Sequence, residues 1–333
     1  MTVMATSSEH PLKTAVLFLV FNRPDTTAQV FDAIRKARPQ RLYVAADGPR
    51  ADRAGEAARV ESVRKIATAV DWPCDLKTLF RDQNLGCKQA VSGAITWFYE
   101  HEEDGIILED DCLPHPDFFN FCETMLDYYR DDERVDVITG NNFQNDQHRG
   151  TGSYYFSKYN HCWGWATWRR AWKHYQGDLP FWSVWKHSDD WKAVCPDKVE
   201  RLYWVKIFDQ VYAGDIDSWA YPWTACVWKY GGLTVTPNVN LVTNIGFGVD
   251  ATHTCDPNGH QANMPVAALP EIVHPHWLGQ DKEADAYIFH NTLGGRWLRW
   301  PWSWFRLPRC VLGRLKRQVM ATNCLEFLLV AKK

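Results

Sequence analysis

The sequence lacks the glycine-rich phosphate-binding loops that many nucleotide-binding proteins carry. No G-x-G-x-x-G pattern follows the first predicted strand, and the P-loop pattern G-x-x-x-x-G-K-[ST] occurs nowhere in the 333 residues. Both patterns place the backbone N–H groups of a tight turn against phosphate oxygens. Their absence argues against dinucleotide and P-loop chemistry, so a phosphorylated ligand would need another source of positive charge.

Long apolar runs and paired cysteines are also missing. The first 14 residues, MTVMATSSEHPLKT, hold no apolar signal core, and no stretch reaches the roughly 18 to 20 apolar residues of a membrane span. The ten cysteines are scattered, without a C-x-x-C pair or a regular disulfide framework. We therefore expect reduced thiols and a cytoplasmic location.

Acidic residues are nearly absent from the end of the chain. Residues 290–333 contain nine Lys or Arg and one acid, Glu326, so this tail has a charge of about +8 in a chain of net charge −3. A basic, Trp-rich tail on an acidic body favours peripheral contact with an anionic membrane at its inner face, and it argues against nucleic acid as a partner. Ordinary packing with exposed charge is the alternative.

Apolar runs and amphipathic segments alternate along the first 140 residues. Strands are predicted at residues 14–21, 41–49, 76–82, 105–111 and 135–140, and helices at residues 26–38, 56–70, 88–101 and 116–131. This alternation predicts an α/β fold with a mostly parallel, Rossmann-like sheet flanked by helices. Beyond residue 150 it gives way to aromatic segments, of which residues 161–172 predict a Trp-dense turn leading into a helix.

Polar residues follow each of the first four predicted strands. Asn22 and Arg23 follow the first, Asp47 the second, residues 81–86 the third and residues 109–111 the fourth. Because ligands of parallel sheets bind beyond the carboxyl ends of the strands, we predict a site there. The last group is three adjacent acids that repel one another, so we expect a positive partner, for which a hard divalent cation is suited. A cluster that caps the following helix is the alternative.

Four of these segments, in this order, resemble the GT-A glycosyltransferases, and more narrowly a bacterial relative of the N-acetylglucosaminyltransferase I family. They are VFNRPD, ADGPR, RDQNLGCKQA and ILEDDCLPHPDFF. The later WGWATW, DSWAYPW and NIGFGVDATHT resemble that family's acceptor-side and loop segments. The resemblance implies a GT-A fold with an N-terminal extension (1–13), a nucleotide-sugar-binding α/β half (14–150), an aromatic-rich acceptor and catalytic half (151–290) and a basic C-terminal segment (291–333).

The resemblance assigns metal and nucleoside contacts to acids at the strand ends. Asp111 would ligate Mn²⁺ or Mg²⁺, with Glu109 and Asp110 facing the ribose or positioning the ion. His253 would be a second metal ligand or a diphosphate contact, or else a loop histidine without a role. Asp47 would accept a hydrogen bond from the ring N–H of uracil or thymine, or would merely cap its turn.

The other donor contacts implied by the resemblance lie near cationic side chains and a turn. Arg23, beside Asn22, and Arg81 would meet the diphosphate or the base, with surface salt bridges as the alternative. The turn from Asn84 to Gly86 would bring its backbone close to the nucleotide sugar. A turn without a ligand is the alternative there.

An inverting transfer needs a general base that deprotonates the acceptor hydroxyl. The resembled family places a carboxylate directly before the Trp of a D-D-W turn, whereas Ser218 holds that position here. We assign the base to Asp217, and a solvated acidic turn is the alternative reading of this segment. Other candidate bases are Asp215, Asp189, Asp190 and Asp250.

Three of the 18 tryptophans, Trp163, Trp165 and Trp219, are candidates to stack on the donor or acceptor sugar. Core packing is the alternative for each. Taken together, the motifs predict a metal-dependent, inverting hexosyl- or N-acetylhexosaminyltransferase. It would move a sugar from a nucleoside diphosphate, with UDP favoured, to a glycan or lipid-linked acceptor in bacterial surface polysaccharide synthesis.

Two other functions stay open. The first is a nucleotidyltransferase that forms sugar nucleotides on a related sheet. Such an enzyme normally uses a Gly-rich loop after its first strand, and VFNRPDTT has no glycine. The second is a non-catalytic carbohydrate- or membrane-binding protein of the same fold.

Overall fold

The computed structural model describes residues 11–247, 262–269 and 271–299. These ranges contain ten β-strands. They are β1 (Val16–Val20), β2 (Arg41–Ala46), β3 (Asp75–Phe80), β4 (Asp104–Glu109), β5 (Cys112–Pro114), β6 (Val135–Thr139), β7 (Tyr154–Ser157), β8 (Trp165–Trp168), β9 (Leu233–Pro237) and β10 (Val242–Asn244).

The α-helices of the same ranges connect and cover these strands. They are α1 (Pro24–Ala37), α2 (Glu56–Ala67), α3 (Gly86–His101), α4 (Asp117–Tyr128), α5 (Arg169–Trp172), α6 (Trp182–Trp185), α7 (Asp189–Val194), α8 (Lys198–Tyr212), α9 (Ala220–Lys229) and α10 (Lys282–Tyr287). A π-helical turn (Ile288–Thr292) and a 3₁₀ turn (Gly295–Leu298) follow α10. Within the described ranges, no helix has the length and apolar character needed to cross a membrane.

Eight strands form one sheet in the order β3-β2-β1-β4-β8-β6-β9-β7. Strands β3, β2, β1 and β4 are parallel to one another, and β6 and β9 run in the same direction. Strands β8 and β7 run the opposite way, and β5 and β10 form a separate antiparallel pair. The predicted α/β class, with a mostly parallel sheet, is therefore confirmed.

Apolar layers cover both faces of the sheet. On one face, Phe18 of β1 packs in a cluster with residues of α1, α2 and α4. On the other face, Leu17 and Leu19 pack with α3, α8 and α9. Strand β1, VLFLV, is apolar without interruption because both faces of the sheet are buried there.

The sheet contains strands from both predicted halves of the chain. Strand β8 lies between β4 and β6, and β10 pairs with β5. The sequence predicted a turn where β8 lies, and it did not predict β7. Both strands are four residues long and wholly buried, so neither shows the polar alternation that marks a half-exposed strand.

Candidate functional site

The carboxyl ends of the four parallel strands meet at one edge of the sheet. The register pairs Val20 with Ala46 and Ala46 with Phe80. It also pairs Leu19 of β1 with Glu109, the last residue of β4. The residues that follow these strands are therefore neighbours, as expected of a parallel sheet. They include Asn22, Arg23, Asp47, Arg81, Asp110 and Asp111.

Arg23 is the positive partner of the acidic triplet Glu109–Asp111. Its guanidinium donates a hydrogen bond to Asp110 Oδ1 and lies 3.0 Å from Asp111 Oδ2. The Arg23 side chain is 24% exposed, so this ion pair is largely shielded from water. The sequence resemblance placed Arg23 against a ligand, whereas in the structure it neutralises the protein's own acids.

One guanidinium does not offset the whole charge of the triplet. Burial, together with the charges of Asp111 and Asp110, raises the pKa of Glu109 to about 8. Burial also raises the pKa of Asp110 to about 6, although Arg23 acts in the opposite direction. Burial, which disfavours the charged form of a carboxyl group, is the main cause of both raised pKa values, and repulsion between the neighbouring acids adds to it.

Gly246 covers the triplet from the side of β10. The Ile245 N–H donates to the Asp111 carbonyl oxygen at 2.8 Å, and the Gly246 N–H donates to Asn244 Oδ1 at 2.9 Å. A Cβ at position 246 would overlap Asp111 Oδ2 and Nη1 of Arg23. Only glycine allows the chain to approach the ion pair this closely.

The donor atoms of the triplet are of the type that Mg²⁺ and Mn²⁺ accept. Asp110 Oδ2 is buried and has no hydrogen-bond partner in the structure, so one carboxylate oxygen is available to a cation. Within the described ranges, however, no three His, Cys, Asp or Glu side chains converge to hold a metal ion. Asp110 and Asp111 are the two carboxylates that could contact an ion here, and Arg23 would first have to leave Asp111. The second predicted ligand, His253, lies outside the described residues.

Asp47 holds the turn that precedes α3. Its carboxylate accepts hydrogen bonds from the Gly48 N–H at 3.0 Å, from the Leu85 N–H at 3.0 Å and from Asn84 Nδ2 at 2.9 Å. Burial raises the pKa of Asp47, although these backbone donors lower it. Asp47 and Asn84, both predicted to bind the nucleotide, are thus joined to each other.

Asp217 lies at the N-terminus of α3. Its carboxylate accepts hydrogen bonds from the Cys87 N–H at 3.1 Å and the Lys88 N–H at 2.9 Å. Gly86 has a φ of +79°, and a Cβ there would lie 3.0 Å from Asp217 Oδ2. The exposed carboxylate satisfies two of the free N–H groups at the start of the helix and complements its dipole. The predicted base therefore lies beside the predicted donor turn, in a capping role.

Arg81 and Asp47 both line a small cavity below the strand ends. Its volume is about 30 Å³, and Arg81 donates a hydrogen bond to the Ala90 carbonyl oxygen at 3.2 Å. A space of this size holds a water molecule but not a nucleobase. A base that contacts Arg81 would have to bind above this cavity or enlarge it.

Glu56 is a site residue that the sequence did not identify. It is buried at the start of α2 and accepts hydrogen bonds from Asn22 Nδ2 at 2.8 Å and from the Arg50 N–H at 2.7 Å. The hydrogen-bonded Arg50 side chain lowers the pKa of Glu56 to about 2. Glu56 thus ties the loop after β1 to the loop after β2. The only hint of this contact in the sequence is Arg50, which ends the ADGPR segment and lies six residues before Glu56.

The three tryptophans proposed for sugar stacking lie in the interior or at its margin. Trp165 and Trp219 are buried and stack on each other, with ring centroids 5.5 Å apart. Trp163 is partly buried and packs edge-on against Phe143 and Phe247. Of the three, Trp163 alone is partly exposed.

No protein-family model matches the chain, and no curated protein matches its sequence. Three solved structures resemble parts of it. HddC from Yersinia pseudotuberculosis matches with 13% identity and a TM-score of 0.29, covering 47% of this chain and 77% of HddC. Residues 1–349 of TarS from S. aureus match with 12% identity and a TM-score of 0.31, covering 47% of each chain.

The third is a UDP-glucose pyrophosphorylase complexed with UDP-glucose. It matches with 10% identity and a TM-score of 0.25, covering 44% of this chain and 62% of the pyrophosphorylase. Likeness at these scores carries no weight for function. The strand-end site itself must therefore support any assignment.

Proposed function

We propose that the protein is a metal-dependent, inverting glycosyltransferase of the GT-A type. It transfers a sugar from UDP or a related nucleoside diphosphate to a hydroxyl group of a glycan or lipid-linked acceptor. The observation that carries this proposal is the convergence of Arg23, Asp47, the acidic triplet and the N-terminal turn of α3 at one sheet edge. No glycine-rich phosphate loop competes for this role in the sequence.

The donor nucleotide binds between Asp47 and the triplet. Asp47 fixes the turn around Asn84, which places backbone and amide groups at the edge where a nucleoside would lie. Asp110 and Asp111 would hold Mn²⁺ or Mg²⁺, which would supply charge that stabilises the diphosphate leaving group. Arg23, released from Asp111, provides a second positive charge for the diphosphate oxygens.

Asp217 serves as the general base in this mechanism. It accepts the proton of the acceptor hydroxyl as that oxygen bonds to the anomeric carbon and the bond from that carbon to the diphosphate oxygen breaks. Attack from the face opposite the diphosphate inverts the anomeric configuration. To act in this way, the carboxylate must exchange at least one of its hydrogen bonds to α3 for the acceptor hydroxyl.

One observation favours a non-catalytic alternative. Asp110 and Asp111 already have Arg23 as their ionic partner, and Asp217 already caps α3. A protein that only binds carbohydrate or a membrane would retain both contacts permanently. Such a protein would neither release nucleotide from a sugar donor nor show any dependence on a divalent cation.

A donor panel tests the proposal. Incubation with UDP-, dTDP- and GDP-sugars in Mn²⁺ should release nucleoside diphosphate from at least one donor, and EDTA should abolish the release. Nucleotide release that persists unchanged in EDTA would contradict metal dependence. Absence of release from every donor, with acceptor glycans present, would favour the non-catalytic alternative.

The setting of the reaction is part of the proposal. We propose that the enzyme acts in bacterial surface polysaccharide synthesis at the inner face of the membrane, because its basic tail suits an anionic lipid surface. A lipid-linked acceptor would lie in the same surface. Membrane contact would then bring the enzyme and the acceptor together.

A further inference from the structure

A cavity of about 420 Å³ lies at the outer edge of the sheet, beside β7. The segment that forms its outer wall is attached to β7 at two points. The Ser153 N–H donates to the Val273 carbonyl oxygen at 2.8 Å, and the Asp281 N–H donates to the Phe156 carbonyl oxygen at 2.7 Å. Between these points Pro275, Trp277, Gly279 and Gln280 line the cavity. The volume falls within the usual range for small-ligand sites.

Trp277 is the prominent side chain of this cavity. It is 68% exposed, unlike Trp165 and Trp219, which are at most 3% exposed. A Cβ on Gly279 would overlap the Trp277 ring, so the indole lies directly against the Gly279 backbone. The ring therefore contacts the Gly279 backbone while most of the side chain stays exposed. An exposed indole beside a cavity is available to stack on a ligand.

Polar groups of mixed charge surround the aromatic surface. Asp281, Lys282 and Glu283 line the cavity together with the tyrosines of β7. Arg149 lies 3.8 Å from Glu283 and balances its charge. An aromatic face with a few carboxylate and cationic groups suits a ligand that carries many hydroxyls and no net charge. A phosphate ligand would need a cluster of cations, and this lining does not provide one.

The cavity is lined in part by the end of β7 that lies at the same sheet edge as the strand-end site. Tyr154, the first residue of β7, pairs with Pro237, the last residue of β9, and β9 runs parallel to β4. Four strand spacings separate β7 from β4, which is about 19 Å at roughly 4.8 Å each. A ligand that reaches both places is longer than one sugar.

We propose that the β7-edge cavity binds a neutral oligosaccharide, with Trp277 as the surface on which a sugar ring stacks. The role of this oligosaccharide as a distal part of the acceptor rests on the proposed transferase function. Its binding to the cavity does not depend on that function. The cavity would select acceptors of several sugar units and hold them along the sheet edge toward the ends of the parallel strands.

Full-length protein tests this assignment on an array of neutral and acidic oligosaccharides of three to six units, followed by calorimetry with the best neutral binder. Trp277→Ala should lower the affinity by about tenfold or more, because a stacked aromatic contact is lost, and Trp277→Phe should restore part of it. Tyr212→Ala is the matched control, since Tyr212 is 49% exposed on α8 and away from the cavity. It should leave the affinity unchanged.

Three results would overturn the assignment. They are no binding to any neutral oligosaccharide, equal affinity in wild type and Trp277→Ala, and an equal loss in Tyr212→Ala. Loss of binding to phosphatidylcholine–phosphatidylglycerol vesicles in Trp277→Ala, without glycan binding, would assign the surface to a membrane instead. UDP binding, measured in parallel, separates the two proposals, because it tests the strand-end site and does not involve Trp277.

Discussion

Arg23 occupies the place in the acidic triplet where a metal ion is expected. Its guanidinium contacts both Asp110 and Asp111, and Gly246 packs over the pair. A carboxylate oxygen that faces a guanidinium is less available to a divalent cation. If the site binds a divalent ion as proposed, Arg23 and the ion should therefore compete for Asp111.

Replacing Arg23 with Gln should increase the stabilisation that Mn²⁺ confers. Without the guanidinium, the acids repel one another in the metal-free protein, and a cation relieves that repulsion. We expect the rise in Tm on adding Mn²⁺ to be larger in Arg23→Gln than in wild type by about 2 °C or more, measured by scanning calorimetry.

Arg53→Gln is the control for this comparison, because Arg53 is exposed in the nearby loop before α2. Its Mn²⁺ response should equal that of the wild type. A double variant, Arg23→Gln with Asp111→Asn, should lose the additional rise. An identical Mn²⁺ response in wild type and Arg23→Gln would show that Arg23 and the metal do not compete.

Glu56 provides a test of pH dependence at a single residue. Its folded-state pKa, about 2, lies below the unfolded value of about 4.3. The ion pair therefore stabilises the fold fully above the unfolded pKa, and this stabilisation is lost as the pH falls toward about 2. Glu56→Gln should cost about 2 kcal/mol at pH 7, a value reduced for the solvent exposure of Arg50.

Urea unfolding at pH 7, 5 and 3 measures this effect. The difference in unfolding free energy between wild type and Glu56→Gln should shrink at pH 3. Glu61→Gln is the matched control, since Glu61 is an exposed glutamate of the same helix with only an i,i+4 lysine partner. It should change stability little. A pH-independent effect of Glu56→Gln would contradict the ion-pair interpretation.

The positions of the strand-end residues could be predicted at this scale, but their partners could not. The strand pattern alone placed Asp47, Arg81 and the triplet at one edge. It gave no information that Asp47 would bond to Asn84 or that Arg23 would turn back onto Asp110. Such contacts depend on side-chain directions in loops, which no periodicity encodes.

At the scale of elements, α3 links the two parts of the site that are proposed to bind the donor and the acceptor. Asp47 holds the turn before it, and Asp217 caps its first N–H groups. Asp217 lies in the segment just before α9, so a single helix terminus joins two distant parts of the chain. Donor binding at this turn should therefore alter the hydrogen bonds between α3 and Asp217, the proposed base.

Asp217→Asn separates the capping role from the catalytic role. The amide oxygen still accepts hydrogen bonds from α3, so stability should fall by no more than about 1 kcal/mol. Transfer should fall by about 100-fold or more, because an amide does not accept the acceptor proton. Stability is measured by urea unfolding and transfer by product formation from the donor identified in the panel.

Asp197→Asn is the control for a helix cap outside the strand-end site. Asp197 accepts the N–H groups of Val199 and Glu200 at the start of α8, and it also pairs with Arg299 at 2.7 Å. This variant should lose at least as much stability as Asp217→Asn and keep its transfer rate. Undiminished transfer in Asp217→Asn would eliminate Asp217 as the base and leave it a helix cap.

The sequence predicted the long elements well and the short aromatic ones poorly. Strands β1 to β4 and helices α1 to α4 lie close to their predicted ranges, because apolar runs alternate there with amphipathic segments. Strand β8 reads as WATW, in which every residue is buried between β4 and β6. A buried four-residue strand and a Trp-rich turn have the same composition, so pattern alone does not distinguish them.

At the scale of the whole molecule, charge is concentrated at the end of the chain. Nine Lys or Arg and one acid fall within residues 290–333, while the rest of the chain is acidic. Replacing the Lys and Arg of residues 306–317 with Gln should weaken sedimentation with phosphatidylglycerol vesicles, since each basic residue contributes about 1 kcal/mol near an anionic surface. Unchanged partitioning would remove the membrane from the proposed setting.

The tryptophan content of the chain is also a property of the whole molecule. Most described tryptophans pack in the layer that contains α6 to α9, among them Trp182, Trp191, Trp204 and Trp228. The high tryptophan content therefore reflects packing of the core more than binding of sugars. The exposed Trp277 was not singled out by the sequence, because nothing in its neighbours distinguishes an exposed indole from a buried one.

The most direct test of the strand-end site is calorimetric titration of UDP into the wild-type protein and Asp111→Asn, each in Mn²⁺ and in EDTA. We predict that the wild type binds UDP in Mn²⁺, and that EDTA or Asp111→Asn weakens binding by about tenfold or more, because the charge that balances the diphosphate is lost. No UDP binding in Mn²⁺, or equal affinity in all four titrations, would contradict the account.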